Sequence, residues 1–242
     1  MAQNIYDNSE FFAGYSQLAR SVCGLDGAPE WPSIRALLPD LHGKRVIDLG
    51  CGFGWFARWA RQHGAESVLG LDVSERMIAR ATASTDDENI RYVIADLERV
   101  ELPEAEFDLA YSSLALHYIE DFARLIGHVH RSLRPGGRFI FSIEHPIYMA
   151  PMRPGWSVDE DGCRTWPINR YSVEGSRSTD WFAKGVLKQH RTIGTTLNTL
   201  IGAGFVVRHV QEWAPTAEQL AVQPDLADEV ERPMMLIVSA QR

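Results

Sequence analysis

Three glycines alternate with other residues in Asp48-Leu49-Gly50-Cys51-Gly52-Phe53-Gly54, at the point where an apolar run gives way to a helical pattern. Residues without a Cβ at a strand-to-helix turn let the backbone come close to a bound ligand. A dinucleotide site would want its third glycine three residues after the second, but Trp55 holds that place and the third glycine comes one residue early. The acid at Asp48 would repel a pyrophosphate and suits a ligand with an ammonium and a sulfonium. Spacing and charge both disfavour a nicotinamide dinucleotide. Two further acids, Asp72 and Asp96, end apolar runs, and three histidines, His117, His145 and His190, offer side chains that can move protons near neutral pH.

Such residues need a scaffold that brings them together, and the hydrophobic pattern describes one. Residues 44–48 rise into a buried parallel strand that stops at the glycine cluster. Phe56, Ala57 and Ala60 fall at helical spacing, and His63-Gly64 closes that segment. Residues 67–71 form a second strand ending at Asp72, after which Ser74 caps a helix holding Met77, Ile78 and Ala81. Residues 90–95 and 107–112 are the third and fourth strands, and a helix follows from about 121 to 133. Arg134-Pro135-Gly136-Gly137 then predicts a turn into a fifth strand over 138–143. Ile193, Leu197, Leu200 and Ile201 mark a last helix, ended by Gly202-Ala203-Gly204, before strands over 205–210 and 234–240. The alternation predicts an α/β, Rossmann-like fold: a seven-stranded, mostly parallel sheet with helices on both faces and ligands at the strands' carboxyl ends.

In this order the motifs resemble the class I S-adenosylmethionine-dependent methyltransferases, in particular the small-molecule group described as type 11. The resemblance runs over residues 44–143 and covers the last two strands. In that family a D/E-x-G-x-G-x-G loop lies under the methionine part of S-adenosylmethionine, matching Asp48, Gly50, Gly52 and Gly54 here. The acid ending the second strand binds both ribose hydroxyls, which implies that role for Asp72, 22 residues after Gly50. Val73 and Met77 would then flank the adenine, and Asp96, in Ala95-Asp96-Leu97, would accept from its amine. Ser112-Ser113-Leu114-Ala115-Leu116-His117-Tyr118 resembles the segment beside the methyl donor, and Leu133-Arg134-Pro135-Gly136-Gly137 resembles the family's L-[KR]-P-G-G turn. An N-terminal helix in similar enzymes puts an aromatic hydroxyl near the cofactor's carboxylate, implying Tyr15. The implied cofactor set is thus Tyr15, Asp48, Gly50, Cys51, Gly52, Gly54, Asp72, Val73, Met77, Asp96, Leu97 and Ser112, with no metal. One domain, residues 1–242, divides into a helical cap (1–43), a cofactor-binding core (44–144), a lid after strand five (145–190), and a final helix with the last strands (191–242).

Methyl transfer from a sulfonium is an in-line displacement, so the enzyme mainly orients and desolvates, and removes a proton where the nucleophile needs it. His145 follows the fifth strand and opens the lid, which makes it the first candidate base; His117 and His190 are the others. His145→Ala is expected to cut turnover and leave cofactor affinity nearly unchanged. The lid's Tyr148, Met149, Met152, Trp156, Trp166, Tyr171, Trp181 and Phe182, with Arg153, Arg164, Arg170 and Arg177 interspersed, suit a hydrophobic or aromatic acceptor with or without a carboxylate. The same aromatics could equally pack the insertion onto the domain or form a subunit interface.

The chain's 242 residues and 45% hydrophobic composition can bury a full core. A net charge of −8 without a basic run disfavours nucleic acid as partner. Three cysteines without a C-x-x-C pair, no signal peptide and no long apolar stretch point to the cytoplasm and away from a membrane. Nucleic-acid amino methyltransferases need an Asn or Asp with two prolines and an aromatic where Tyr111-Ser112-Ser113-Leu114 stands, and cytosine C5 enzymes need a Pro-Cys that is missing. A small-molecule acceptor remains, with O-methylation favoured over N- or C-methylation because histidines stand ready as bases, and with a monomer or homodimer as the assembly. The rival reading is a non-catalytic protein that binds S-adenosylmethionine or S-adenosylhomocysteine as a regulator or assembly partner. A nicotinamide oxidoreductase would instead show affinity for NAD.

Overall fold

A computed structural model describes residues 3–242. The first stretch holds α1 (Ser9–Tyr15), α2 (Ala19–Val22) and α3 (Trp31–Leu37). Then come β1 (Arg45–Leu49), α4 (Trp55–Gln62), β2 (Ser67–Asp72), α5 (Glu75–Ala83), β3 (Ile90–Ile94), β4 (Phe107–Ser113), α6 (Phe122–Ser132) and β5 (Leu133–Glu144). After α7 (Pro146–Met149) two antiparallel hairpins follow, β6 (Ser157–Val158) with β7 (Arg164–Thr165) and β8 (Gly175–Trp181) with β9 (Ala183–His190). The chain ends in α8 (Ile193–Gly202), β10 (Val206–Trp213), α9 (Ala217–Val222), α10 (Asp228–Glu231) and β11 (Met235–Gln241).

The main sheet has seven strands in the order β10-β11-β5-β4-β1-β2-β3. β11 inserts between β5 and β10 and runs antiparallel to both, while the remaining pairings are parallel. Strand alternation divides the core: Ile47, Phe139, Phe141, Leu236 and Val238 pack with α6 and α8, whereas Val46, Ile140 and Ile237 pack with α3 and α4. Each fully buried Phe, Leu or Ile contributes about 1.5–3 kcal/mol of transfer free energy.

Local chemistry sets the joints. Ser74 Oγ accepts from the Met77 N–H at 3.1 Å, the Asp121 carboxylate accepts from the Arg124 N–H at 3.0 Å, and Thr192 Oγ1 accepts from the Thr195 N–H at 3.1 Å, each capping a helix start. The stretch Arg134–Gly137, expected as a turn ahead of the fifth strand, lies inside β5 as a bulge. Leu133 already pairs Phe107, and the ladder resumes at Arg138 opposite Leu109. The Gly136 N–H donates to the Arg242 carbonyl and the Arg242 N–H to the Gly137 carbonyl, each at 3.0 Å, so backbone pairing with the chain's end holds the bulge in the sheet.

The 145–190 insertion is ordered by α7 and the two hairpins. A small cluster of Ile5, Phe11 and Val186, with Tyr6, Tyr15, Tyr118 and Trp181 against it, joins it to the N-terminal segment. Gln3 adds backbone contacts, Nε2 donating to the Gly185 carbonyl at 2.9 Å and Oε1 accepting from the Leu187 N–H at 2.8 Å. Asp7 fastens the same segment to α5, accepting from Ser74 Oγ at 2.5 Å and the Arg76 N–H at 3.2 Å. Together these segments roof the carboxyl ends of β1, β2, β4 and β5.

Candidate active site

Beneath that roof runs a cleft of about 890 Å³, within the range of small-molecule sites. At one end lie Gly50, Gly52, Asp72, Val73, Met77, Asp96 and Leu97, all anticipated as a group. The glycine loop is anchored to β2 by the Gly50 and Cys51 N–H groups, which both donate to the Leu71 carbonyl, at 2.8 and 2.9 Å. All three glycines have positive φ, but they answer to different neighbours. A Cβ on Gly50 would meet Ala115 Cβ at 2.3 Å and one on Gly54 would meet Tyr92 Oη at 2.1 Å, whereas one on Gly52 meets nothing within 4 Å. Of the three, Gly52 keeps the space beside it open; Gly54, the αL cap of α4, lines neither the cleft nor the annex beside it and packs against Tyr92.

Asp72 accepts from the Gly52 N–H at 2.9 Å on one oxygen and from the Ser74 N–H at 3.0 Å on the other. Each oxygen keeps a free lone pair. Burial raises its pKa against those bonds. Asp48 is 2% exposed, and burial first, then the Asp72 charge, pushes its carboxyl well above the usual range. Among the described residues neither acid has an ion-pair partner. Two buried carboxylates short of a cation form a set that a positively charged ligand would complete.

Asp48 opens into a small annex of about 90 Å³, shared with Tyr15, Arg20, Glu30, Gly50, Cys51 and Gly52. Tyr15 and Arg20 line both spaces, and Arg20 is held by Glu30 at 2.9 Å. Sequence reasoning missed Arg20, since a lone arginine in a short helix carries no signal. Cys51 lines only the annex, and burial followed by the Asp72 and Asp48 charges raises its thiol pKa. Asp96 stands at the cleft and accepts from the Glu98 N–H at 3.0 Å. Ser112, expected at the cofactor, is fully buried and donates to the Leu49 carbonyl at 2.6 Å. Strand alternation turns the next residue, Ser113, into the cleft instead.

The three histidines part company. His145, expected as the first candidate base, lines neither cavity: its Nδ1 accepts from the Ile147 N–H at 3.1 Å to cap α7, and its Nε2 sits 2.9 Å from Glu212. The residue ending β5 on the cleft side is its neighbour Glu144. His190 is also outside, two positions along β9 from the cleft-lining Lys188, with Nε2 bonding the Tyr171 carbonyl at 2.8 Å. His117 does line the cleft, on a 3-10 turn over Leu116–Tyr118. The Glu144 N–H donates to its Nδ1 at 3.3 Å. Burial, then the Lys188 and Arg191 charges, lowers its pKa far below the ordinary value, so the neutral ring carries its proton on Nε2.

Around His117 stand Tyr6, Tyr118, Glu144, Tyr148, Met149, Trp181 and Lys188. Tyr6 Oη donates to Tyr118 Oη at 3.2 Å, and Lys188 Nζ ion-pairs with Glu144 while lying 5.1 Å from the centre of the Trp181 ring. Of the insertion's aromatics and methionines, Tyr148, Met149 and Trp181 reach the cleft. Trp156 and Trp166 pack with Tyr148 around the Arg232 guanidinium instead. The insertion's arginines stay outside the cleft: Arg164 pairs with Asp228 at 2.9 Å, and Arg177 donates to the Ala150 and Val173 carbonyls.

A methyltransferase-domain family model matches residues 47–141. The crystal structure of an S-adenosylmethionine dependent methyltransferase from Mesorhizobium loti is 63% identical, covers 90% of this chain and 100% of its own, and superimposes with a TM-score of 0.88. A Listeria monocytogenes structure assigned to the same class is 40% identical over 89% of this chain and 98% of its own, with a TM-score of 0.81. The malonyl-[acyl-carrier protein] O-methyltransferase of Enterobacter lignolyticus is 35% identical over 60% of this chain and 57% of its own length. The chain thus spans little more than half of that relative.

Proposed function

Because the chain belongs to the S-adenosylmethionine-dependent methyltransferases, with S-adenosylmethionine as cofactor, we propose that it methylates a small, hydrophobic or aromatic molecule, with oxygen favoured as the receiving atom. The observation that carries this reading is the pair of buried carboxylates, Asp48 and Asp72, unpartnered beside the open face of Gly52, with a second, aromatic-lined end to the same cleft. When bound, the cofactor supplies an electrophilic methyl group.

The protein's residues do the rest. Asp72 would hold the ribose hydroxyls with its free lone pairs; Val73, Met77 and Leu97 would enclose the base and Asp96 would accept from its amine. Arg20 and Tyr15 would face the amino-acid carboxylate, and Asp48 would offset the ammonium across the annex. Tyr6, Tyr118, Tyr148 and Trp181 would sandwich an acceptor and exclude water, and His117 Nε2–H would donate a hydrogen bond to it.

Calorimetry with S-adenosylmethionine, S-adenosylhomocysteine and NAD, followed by transfer of labelled methyl groups into a cell-extract metabolite pool, tests it. Binding of the first two but not NAD, with labelled small molecules formed, is expected. Tight binding without any labelled product would instead favour a regulatory or assembly role.

A further inference from the structure

We infer that Glu144 is the base that deprotonates the acceptor, and that the acceptor is therefore a neutral molecule with a protic nucleophile, a phenol, alcohol or amine, and not a carboxylate. This rests on the transferase reading above and deepens it. Glu144 ends β5, lines the cleft and has a side chain only 15% exposed. Among the described residues its one cationic partner is Lys188, 4% exposed, from β9. The other titratable groups facing it are His117 and Tyr118 on the 3-10 turn and Tyr148 on α7.

Those other groups are unsuited to take a proton. His117 already accepts the Glu144 N–H on Nδ1 and presents only a donor. A tyrosine hydroxyl is protonated at neutral pH, and burial drives both further from ionising, Tyr148 up to about 12. The ammonium of Lys188 keeps Glu144 ionised through its Oε1, and Oε2, with no hydrogen bond among the described residues, is open to take a proton at the cost of weakening that pair.

The same pairing bears on the acceptor's charge. Lys188 is neutralised by Glu144, and among the described residues the remaining cation on the cleft wall, Arg20, is paired with Glu30 and lies at the annex, where the cofactor's own carboxylate would take it. Among the described residues an acceptor carboxylate would meet no free cation, and it would face the Glu144 charge. In the step itself the acceptor's O–H or N–H proton passes to a Glu144 oxygen. The freed electron pair bonds the methyl carbon, and the carbon–sulfur pair leaves with the donor's sulfur, giving a neutral thioether.

The acceptor itself need not be identified for the test. Labelled methyl groups are transferred from S-adenosylmethionine to the small-molecule fraction of a cell extract, and the products are treated with mild alkali. Ethers and methylamines keep their label, whereas methyl esters release labelled methanol. Glu144→Gln should lower transfer by about 10²–10³-fold and leave S-adenosylhomocysteine affinity by calorimetry unchanged. Difference infrared titration of the S-adenosylhomocysteine complex, wild type minus Glu144→Gln, should show a carboxylate whose midpoint lies above the ordinary range. Lys188→Met should move that midpoint, and the acid limb of the pH–rate profile, upward. Labelled methanol, an undiminished Glu144→Gln rate, or an acid limb unmoved by Lys188→Met would overturn the inference. Cofactor binding with no labelled product from any extract would overturn the transferase reading itself, and this inference with it.

Discussion

At one end of the cleft, Gly50, Gly52, Asp72, Val73, Asp96 and Leu97 each lie within three positions of a core strand's end, and Met77 sits on α5, the helix that follows β2. At the other end, Tyr6 meets Tyr118 across 112 residues of sequence and Lys188 meets Glu144 across 44. The first end is a set of strand-to-helix turns that the sheet positions automatically. The second is assembled only when the N-terminal segment and the insertion fold over the sheet. If the first end holds the cofactor, as proposed, the difference explains how one cofactor site can serve many acceptors: the sheet would carry the cofactor and the roof could vary without disturbing it.

Variants at matched positions should separate the two ends. Asp72→Ala removes the acceptor for two backbone N–H groups as well as the proposed ribose ligand, so cofactor affinity should fall by about 10²–10³-fold, at about 1.5–3 kcal/mol per charge-assisted bond; calorimetry reads this directly. Gly54→Ala should cost about 2–4 kcal/mol of stability in chemical denaturation, because the new Cβ drives into Tyr92 at a positive φ. Gly52→Ala, facing open space, should spend its effect on cofactor affinity instead. If the two glycine variants behave alike, the division between ligand-facing and packing glycines is wrong.

Effects at His145, under the roof, and at Asp48, in β1, should be smaller. His145→Ala should destabilise by about 1–2 kcal/mol through the lost cap of α7 and contact with Glu212, with turnover unchanged once folded. A large fall in turnover at unchanged stability would restore His145 as a base. Asp48→Asn should stabilise the cofactor-free protein. Burial raises the folded-state pKa of Asp48, so its cost is absent below the unfolded pKa of about 3.9, grows as pH rises through the folded value, and is full above it. The melting temperature of Asp48→Asn should therefore exceed that of the wild type at neutral pH, by on the order of 2–4 °C per kcal/mol relieved. The gain should vanish in acid, and cofactor affinity should weaken.

The same contrast explains what can be read from the sequence. The succession of strands along the chain, the glycine loop, Asp72 and Asp96 are visible because each lies in or beside a hydrophobic run whose period marks the element, whereas the order of the strands within the sheet is shown only by the fold. Ser112 is one residue off the cleft, since only the strand's true phase decides between it and Ser113. His145 and Glu144 are also neighbours, and the phase of β5 sends Glu144 to the cleft. Lys188 and Arg20 carry no local signal, because each matters through a partner far away in sequence or through a cavity that exists only after folding. The insertion's arginines suggest acceptor ligands for the same reason: composition does not reveal that Arg164 is engaged by Asp228 or Arg177 by backbone carbonyls.

A crystal structure with S-adenosylhomocysteine bound bears most directly on the two-ended cleft. The expected result is ribose hydroxyls on Asp72, the amino-acid end in the annex beside Asp48 and Arg20, and the sulfur facing Glu144 and His117. A ligand lying elsewhere, or bound with Asp72 unengaged and its sulfur turned from Glu144, would contradict it.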